Sequence, residues 1–463
     1  MIRKEFTDKL AGMKVLVVGM GKSGRAASEV LLDRGVSLAV QDSSPEEKID
    51  PAFLEKIRSH GATEYFGCKP PEDAVFDMLV LSPGVPVDLD FIKAAEEKGT
   101  EVIGEVELAY RLTDALFVAI TGTNGKTTTT SLVGEIFKAS GRKTAVVGNI
   151  GEPVVTEAVK AGSDEWLITE ASSFQLETTS EFRPVVSAIL NLTPDHLNRH
   201  KTMEAYGAAK AKVAANQGPE EYLVINLDDS AVVELAAGTH ATVVPFSRRQ
   251  KIEGCGAYLD GGSIIVNDIK GEPHHICSVD DLRIIGDHNI ENALAAAAVA
   301  FYAGIDAEVI GRAIAEFPGV EHRIEFSGRI NEVDYYNDSK GTNVDAAVIA
   351  LKALRNNIIL IAGGDGKAQD FTDLAAHLNG AVSALVLLGR DAHFIEEAAR
   401  KQGFTEIYNC KDMEECVRRA SELARPGDKV LLSPACASWD MYDNYEQRGR
   451  HFKQCVKHLS ELA

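Results

Sequence analysis

The sequence predicts an α/β protein whose three domains follow one another along the chain, each built on a largely parallel sheet. Two observations carry this. At 463 residues the chain is too long for one core, since domains usually run to about 100–200 residues. Its dominant rhythm is a short β-branched run, a glycine or polar turn, then an amphipathic stretch closed by glycine, the pattern of repeated βα units. The rhythm breaks near residues 103 and 320, which predicts domains over 1–103, 104–320 and 321–463.

In the first domain Lys14–Val18 reads as a strand and Lys22–Arg34 as a helix with Ala26, Ala27, Val30 and Leu31 on one face. Gly35 stands where a C-cap belongs. Val36–Val40 and Met78–Leu81 are further strands. The second domain opens on a strand at Leu116–Ile120, passes through a glycine-containing turn into a helix that ends at Ser140-Gly141, and continues with strands at 143–147, 166–169, 186–190 and 222–226. Short strands with Gly and Asp turns over 242–285 predict a small antiparallel appendage, and Asn289–Ala303 an Ala-rich buried helix. In the third domain strands around Val333–Tyr336 and at Ile358–Ile361, Ala384–Leu388 and Lys429–Leu432 alternate with helical stretches at 345–354, 392–402, 412–424 and 444–460. No segment repeats at a fixed period, which excludes solenoids and propellers.

Composition narrows the function classes. Hydrophobic residues at 45% and charged residues at 25% are near globular averages, so disordered, collagen-like and coiled-coil chains are excluded. The 69 acidic and 48 basic side chains give a formal charge of −21, which repels phosphate backbones and anionic lipid and argues against nucleic-acid or membrane partners. Seven cysteines without metal-ligand spacing fit a reducing compartment. Charges throughout residues 1–13 leave no secretory core, and the longest apolar stretch, Ala293–Ala303, is far short of the ~20 residues of a bilayer span. A cytoplasmic protein is expected.

Three groups of residues concentrate chemistry. Thr121-Gly-Thr-Asn-Gly-Lys126-Thr127 lies between a strand and a helix, where backbone N–H groups and the helix dipole cradle a polyphosphate. Lys126 would then meet the β/γ oxygens and the Thr127 hydroxyl would ligate Mg²⁺. Ile120 stands where the usual pattern has its first glycine. Gly19-Met-Gly-Lys-Ser-Gly24 likewise follows a strand and opens a helix, with Asp42 ending the next strand. That is the geometry for a diphosphate and a ribose, whether in NAD, FAD or another nucleotide. Glu170 ends an apolar strand, where a Mg²⁺ ligand could sit. Taken alone, His196 reads as a surface residue and Lys210 as a solvated helix lysine. In the third domain Asn337–Asn343, Gly363–Lys367 and Ser433–Ser438 each follow a strand, which predicts one polar binding edge.

These segments occur in a recognisable order. Gly122-Thr-Asn-Gly-Lys-Thr127, Glu170-Ala-Ser-Ser-Phe-Gln-Leu-Glu177, Asn191-Leu-Thr-Pro-Asp-His196, Tyr206-Gly-Ala-Ala-Lys210, Gly286-Asp-His-Asn-Ile-Glu-Asn-Ala293, His322-Arg323, Asn337-Asp-Ser-Lys340 and Ser433-Pro-Ala-Cys-Ala-Ser438 together resemble the Mur ligases over essentially the whole chain. The resemblance implies Rossmann-like N- and C-terminal domains around a central P-loop ATPase-type domain. It also implies an ATP-dependent amide ligase that joins D-glutamate to UDP-N-acetylmuramoyl-L-alanine in peptidoglycan precursor synthesis. The Asp-Asn-Pro-Arg motif expected of the ligase for the third amino acid is absent, and Thr127-Thr128 replaces the Gly-Ser usual after the lysine in folylpolyglutamate ligases.

Site residues follow from the same resemblance. Lys22, Ser23, Asp42, Ser43, Ser82, Pro83, Gly84, Asn149 and His196 would bind the UDP-sugar. Gly122, Thr123, Asn124, Gly125, Lys126, Thr127, Thr128, Asn289, Asn292, Arg323 and Asp338 would bind ATP. Thr127 and Glu170 would hold one Mg²⁺; His196 and a CO₂-derived carbamate on Lys210 would hold a second. Lys126, Glu170, His196 and Lys210 are thus the expected catalytic set. Lys340, Thr342, Lys367, Ser438 and Tyr445 would receive D-glutamate, with Tyr445 where the family usually has Phe and Trp439 where it has Leu. A monomer is expected. Two other classes account for less of the sequence: a NAD-dependent dehydrogenase leaves the Gly-Lys-Thr loop idle, and a nucleotide switch leaves the third domain's polar edge without a role.

Overall fold

The computed structural model describes residues 2–367 and 369–462. Among them are three sheets, of five, nine and six strands. The chain divides into two compact units: Met1–Leu282 with His288–Phe317, which contains the first two sheets, and Arg283–Asp287 with Pro318–Ala463, which contains the third.

The first sheet is parallel throughout, in the spatial order Thr63–Phe66, Ser37–Asp42, Lys14–Val18, Met78–Leu81, Glu101–Gly104. Its order reverses at Lys14–Val18, so the loop leaving that strand opens at the switch point where such sheets bind ligands. Gly24, in the first turn of the helix Lys22–Leu32, is required there. A β-carbon at that position would collide with the carbonyl oxygen of Gly19. Val15, Val17, Ala27 and Leu31 are buried together, as their helix and strand periodicities demand.

In the second sheet Leu116–Thr121 is flanked by Trp166–Glu170 and Val186–Ile189, again a switch point. The small antiparallel appendage expected over 242–285 is present as the edge of this sheet, but its first strands are parallel. Thr242–Ser247 pairs parallel with Tyr222–Asn226, and Gly256–Asp260 pairs parallel with Thr242–Ser247. Only Ser263–Asn267 and Pro273–Ser278 extend it antiparallel. The helix Asp287–Tyr302 buries Ala293 through Ala300, which lets it pack as an apolar rod.

The third sheet has the order Glu325–Ile330, Val333–Asn337, Lys429–Leu432, Ile358–Ala362, Val382–Leu387, Ile407–Asn409. The first of these is antiparallel and the rest are parallel. Apolar side chains cover both faces in two separate cores, as a parallel sheet requires. No described helix is long and apolar enough to cross a membrane.

Candidate active site

At the first sheet's switch point lies a cavity of about 690 Å³, lined among others by Lys22, Ser23, Asp42, Ser43, Ser82, Pro83 and Gly84. Not all of these side chains face it with free groups. The Asp42 carboxylate accepts the N–H of Met20 at 2.6 Å and of Ser44 at 2.7 Å, so it braces the glycine-rich turn. Lys22 Nζ donates to Gly151 O at 2.8 Å and lies 3.4 Å from Glu152. Ser82 Oγ donates to Gly19 O at 2.7 Å, stitching two rims of the cavity together.

The phosphate-type loop sits at the second switch point. Gly125 caps the helix Lys126–Ala139 in the left-handed conformation, φ 82°, where a β-carbon would meet Asn292 Oδ1. The loop is held open by Asn191. Its Oδ1 accepts the N–H groups of Thr123 and Asn124 at 3.0 and 2.7 Å, and its Nδ2 donates to Asn124 O at 3.0 Å. Asn191 is absent from the residues singled out by sequence for ATP. The available signal was its place just beyond Val186–Ile189, the strand beside the loop's own. Asn292 accepts from Thr129 Oγ1 at 3.2 Å and donates to Asn289 Oδ1 at 3.0 Å, so these two asparagines pack against the first helical turn.

Two lysines converge on one carbonyl. Lys126 Nζ donates to Gly122 O and Thr123 O, each at 2.8 Å, and Lys210 Nζ donates to Gly122 O at 2.7 Å. Lys210 is therefore not the solvated helix lysine of its plain reading: it is 1% exposed, with Nζ 4.4 Å from the centre of the Tyr206 ring. Burial, reinforced by the Lys126 charge, pushes its ammonium down to about 6. Nearby, Glu170 pairs in register with Ile120 and Gly148. Its Oε1 accepts Asn149 Nδ2 at 2.7 Å, while its buried Oε2 has no hydrogen-bond partner. A buried carboxylate oxygen left open beside a phosphate-type loop fits a hard divalent cation.

His196 is half exposed, in the left-handed region at φ 53°, its Nε2 3.4 Å from Asp195. Its ring lies 4.9 Å from Phe174 and 6.4 Å from Tyr206. Tyr206 therefore adjoins both His196 and Lys210.

In the second unit the three polar loops meet. Gly363 N–H donates to Pro434 O, Ala435 N–H to Gly341 O, and Asp365 and Ala437 exchange both backbone bonds, all at 2.9 Å. Asp338 is buried, accepts Ser433 Oγ at 2.6 Å and Ile324 N–H at 3.3 Å, and is pushed by burial up to about 7. Around Arg323 the backbone is strained: His322 and Ile324 have φ of 66° and 45°, costly for a β-branched residue. Arg323 Nε is buried without a hydrogen-bond partner. Lys340 Nζ lies 5.5 Å from the Tyr445 ring centre and Lys367 Nζ 4.3 Å from that of Trp439. Ser438 is buried and Thr342 half-buried. The buried Arg448, missed by sequence reading, binds Ser339 Oγ, Ser339 O and Cys436 O and so cross-links two of the loops.

Comparison with known proteins decides the family. Residues 13–104 match the Mur ligase MurD-like N-terminal domain, 120–300 the Mur ligase middle domain, and 322–436 the Mur ligase glutamate ligase domain. The chain belongs to the Mur ligase family. Relatives include the UDP-N-acetylmuramoylalanine--D-glutamate ligase of Thermoanaerobacter sp. (strain X514), 48% identical over 97% of this chain and 99% of that one. Another, of the same name, is from Clostridioides difficile (strain 630), 48% identical over 97% and 99%. Solved structures of UDP-N-acetylmuramate-alanine ligase and of MurF ligase with ADP, both from Thermotoga maritima, share the fold. They superpose with TM-scores of 0.59 and 0.56 at 19% and 16% identity. They cover 96% and 84% of this chain and 99% and 97% of theirs. This Mur ligase therefore carries its polar loops on the family's three-domain plan.

Proposed function

We propose that this Mur ligase joins D-glutamate to UDP-N-acetylmuramoyl-L-alanine, as the names of its relatives say of them, and that it does so at the expense of ATP, releasing ADP and phosphate. The observation that carries the chemistry is the meeting of Lys126 and Lys210 on the Gly122 carbonyl beside the open oxygen of Glu170. A carboxylate is inert toward amines. The alanyl carboxylate therefore attacks the γ-phosphorus of ATP first, forming an acyl phosphate and expelling ADP. Two anions must approach, and Lys126 offsets their repulsion. Mg²⁺ held by Thr127 and Glu170, and a second ion held by His196 and Lys210 as its carbamate, would neutralise further phosphate charge. A buried, readily deprotonated Lys210 amine is what carbamate formation needs. The D-glutamate amine then attacks the acyl carbon, and collapse of the tetrahedral adduct releases phosphate and leaves the amide.

The first-sheet cavity, within residues 1–103, takes the UDP end, with Lys22, Ser23, Ser43 and Ser82–Gly84 around it; Asp42 shapes its glycine-rich rim. Asn149 and His196 extend that site toward the reacting carboxylate. Residues 104–320 hold ATP. The domain over 321–463 holds the amino acid through Lys340, Thr342, Lys367, Ser438 and Tyr445. The enzyme works as a cytoplasmic monomer. The test is phosphate release and product mass with UDP-N-acetylmuramoyl-L-alanine, ATP and a panel of D- and L-amino acids. Ligation of D-glutamate alone is expected; turnover with L-lysine or meso-diaminopimelate and none with D-glutamate would move the chain to another member of the family.

A further inference from the structure

The proposed chemistry uses Glu170 and His196 but not the residues that follow each of them, and those residues are joined. Arg199 Nη2 donates to Glu177 Oε2 at 2.8 Å and to Val85 O at 2.9 Å, and Nη1 reaches Gly84 O at 3.4 Å. The guanidinium lies 4.8 Å from the Phe174 ring centre and is only 15% exposed. Glu177 is held in turn: its Oε1 is 3.2 Å from His200 Nδ1, and His200 Nε2 is 2.9 Å from Ser173 Oγ. An ion pair this well enclosed, with Nη1 and Nη2 also on carbonyls, costs little side-chain freedom to maintain.

What it connects gives it a role. Gly84 and Val85 form a rim of the first-sheet cavity. Arg199 lies on the single helical turn Leu197–His200, whose N-cap is His196. The guanidinium is therefore a strut between the cavity rim and the turn that aims His196. We infer that Arg199, oriented by Glu177, is a positioning residue that fixes the span from the uridine cavity to the phosphate loop, so that one extended substrate reaches both. This rests on the UDP-sugar reading of the cavity. A ligand confined to the cavity does not sense the span. A ligand that must reach from the cavity to His196 does, because small errors in placing a reacting group are costly.

The test compares free UDP with UDP-N-acetylmuramoyl-L-alanine on the full chain. In Arg199→Ala, UDP affinity should stay within about twofold while the KM of the full substrate rises about tenfold or more, because the two ends of its site are no longer held at the span it bridges. The KM of D-glutamate should not move. Arg199→Lys should recover part of the loss, and Glu177→Gln should shift the same constant less. Equal losses for UDP and the full substrate, or no change in either, overturn the inference. If Arg199→Ala fails to fold, Glu177→Gln and Arg199→Lys decide by the same comparison. Wild-type protein that neither binds UDP nor ligates would instead retire the proposed function and leave the strut a purely structural contact.

Discussion

Lys126 spends its charge on its own loop, donating to the carbonyls of Gly122 and Thr123. These two carbonyls are neutral acceptors, which the charge of an incoming phosphate outcompetes. Lys126→Ala should therefore leave the fold intact and lower turnover by at least about 100-fold, the cost of removing one preorganised charge stabiliser; steady-state phosphate release checked against thermal melting measures it. Asp338 makes the second residue-scale case. Burial raises its carboxyl to about 7, above the unfolded value near 4. Between these pH values the folded chain keeps a proton that the unfolded chain has lost. The stability of the neutral form is thus full below about pH 4 and is lost as pH rises through about 7. Asp338→Asn removes this titration, so its unfolding free energy relative to wild type should improve from pH 4 to 8 in urea melts. Residue roles were only partly legible beforehand. Asp42 was visible as an acid after a strand, but its bonds to Met20 and Ser44 N–H depend on the turn's three-dimensional course. Lys210 looked like any helix lysine because nothing local says that its helix face is buried.

The phosphate-type loop is an element built from outside itself. Two of its N–H groups are taken by Asn191, 67 and 68 positions along the chain, and Asn292 fills the space that a side chain at position 125 would need. The Thr123 N–H also reaches the backbone carbonyl of Asn191 at 3.1 Å, so Asn191→Ala would remove the acceptor of the Asn124 N–H and one of the two at Thr123, costing about 0.5–1.5 kcal/mol and raising the ATP KM more than that of either other substrate, as initial-rate kinetics would show. At this scale the sequence was most informative where signals are local. The strand, glycine turn and helix around Lys14–Leu32 and Leu116–Ala139 were legible because periodicity and caps lie within a few residues of each other. The edge strands Thr63–Phe66 and Glu325–Ile330 were not, since their side chains are mostly part-exposed and lack a continuous apolar run. The strands after residue 242 were seen, but not that they prolong the central sheet, because pairing partners are a long-range property.

For the whole molecule, net charge and site charge pull in opposite directions. The chain carries −21, yet the proposed substrates are polyanions, and the groups near them include Lys22 and Lys69 at the cavity and Lys126 and Lys210 at the phosphate-type loop. The two fields have different ranges. At an ionic strength of ~0.01 M the Debye length is ~30 Å, so an approaching anion feels most of the molecule and is repelled; at ~0.15 M it is ~8 Å, and only the nearest side chains act. Lys22 is itself paired with Glu152 at 3.4 Å and 60% exposed, so it adds little long-range attraction. The association rate of UDP with the intact protein should therefore rise, not fall, as monovalent salt is increased over this range at fixed Mg²⁺. That is opposite in sign to electrostatically steered binding. Stopped-flow measurement of the association and dissociation rates separates the two. A falling association rate would mean that the acidic residues lie far enough from the cavity mouth for its lysines to dominate at a distance. In that case the overall charge would serve solubility without hindering substrate capture.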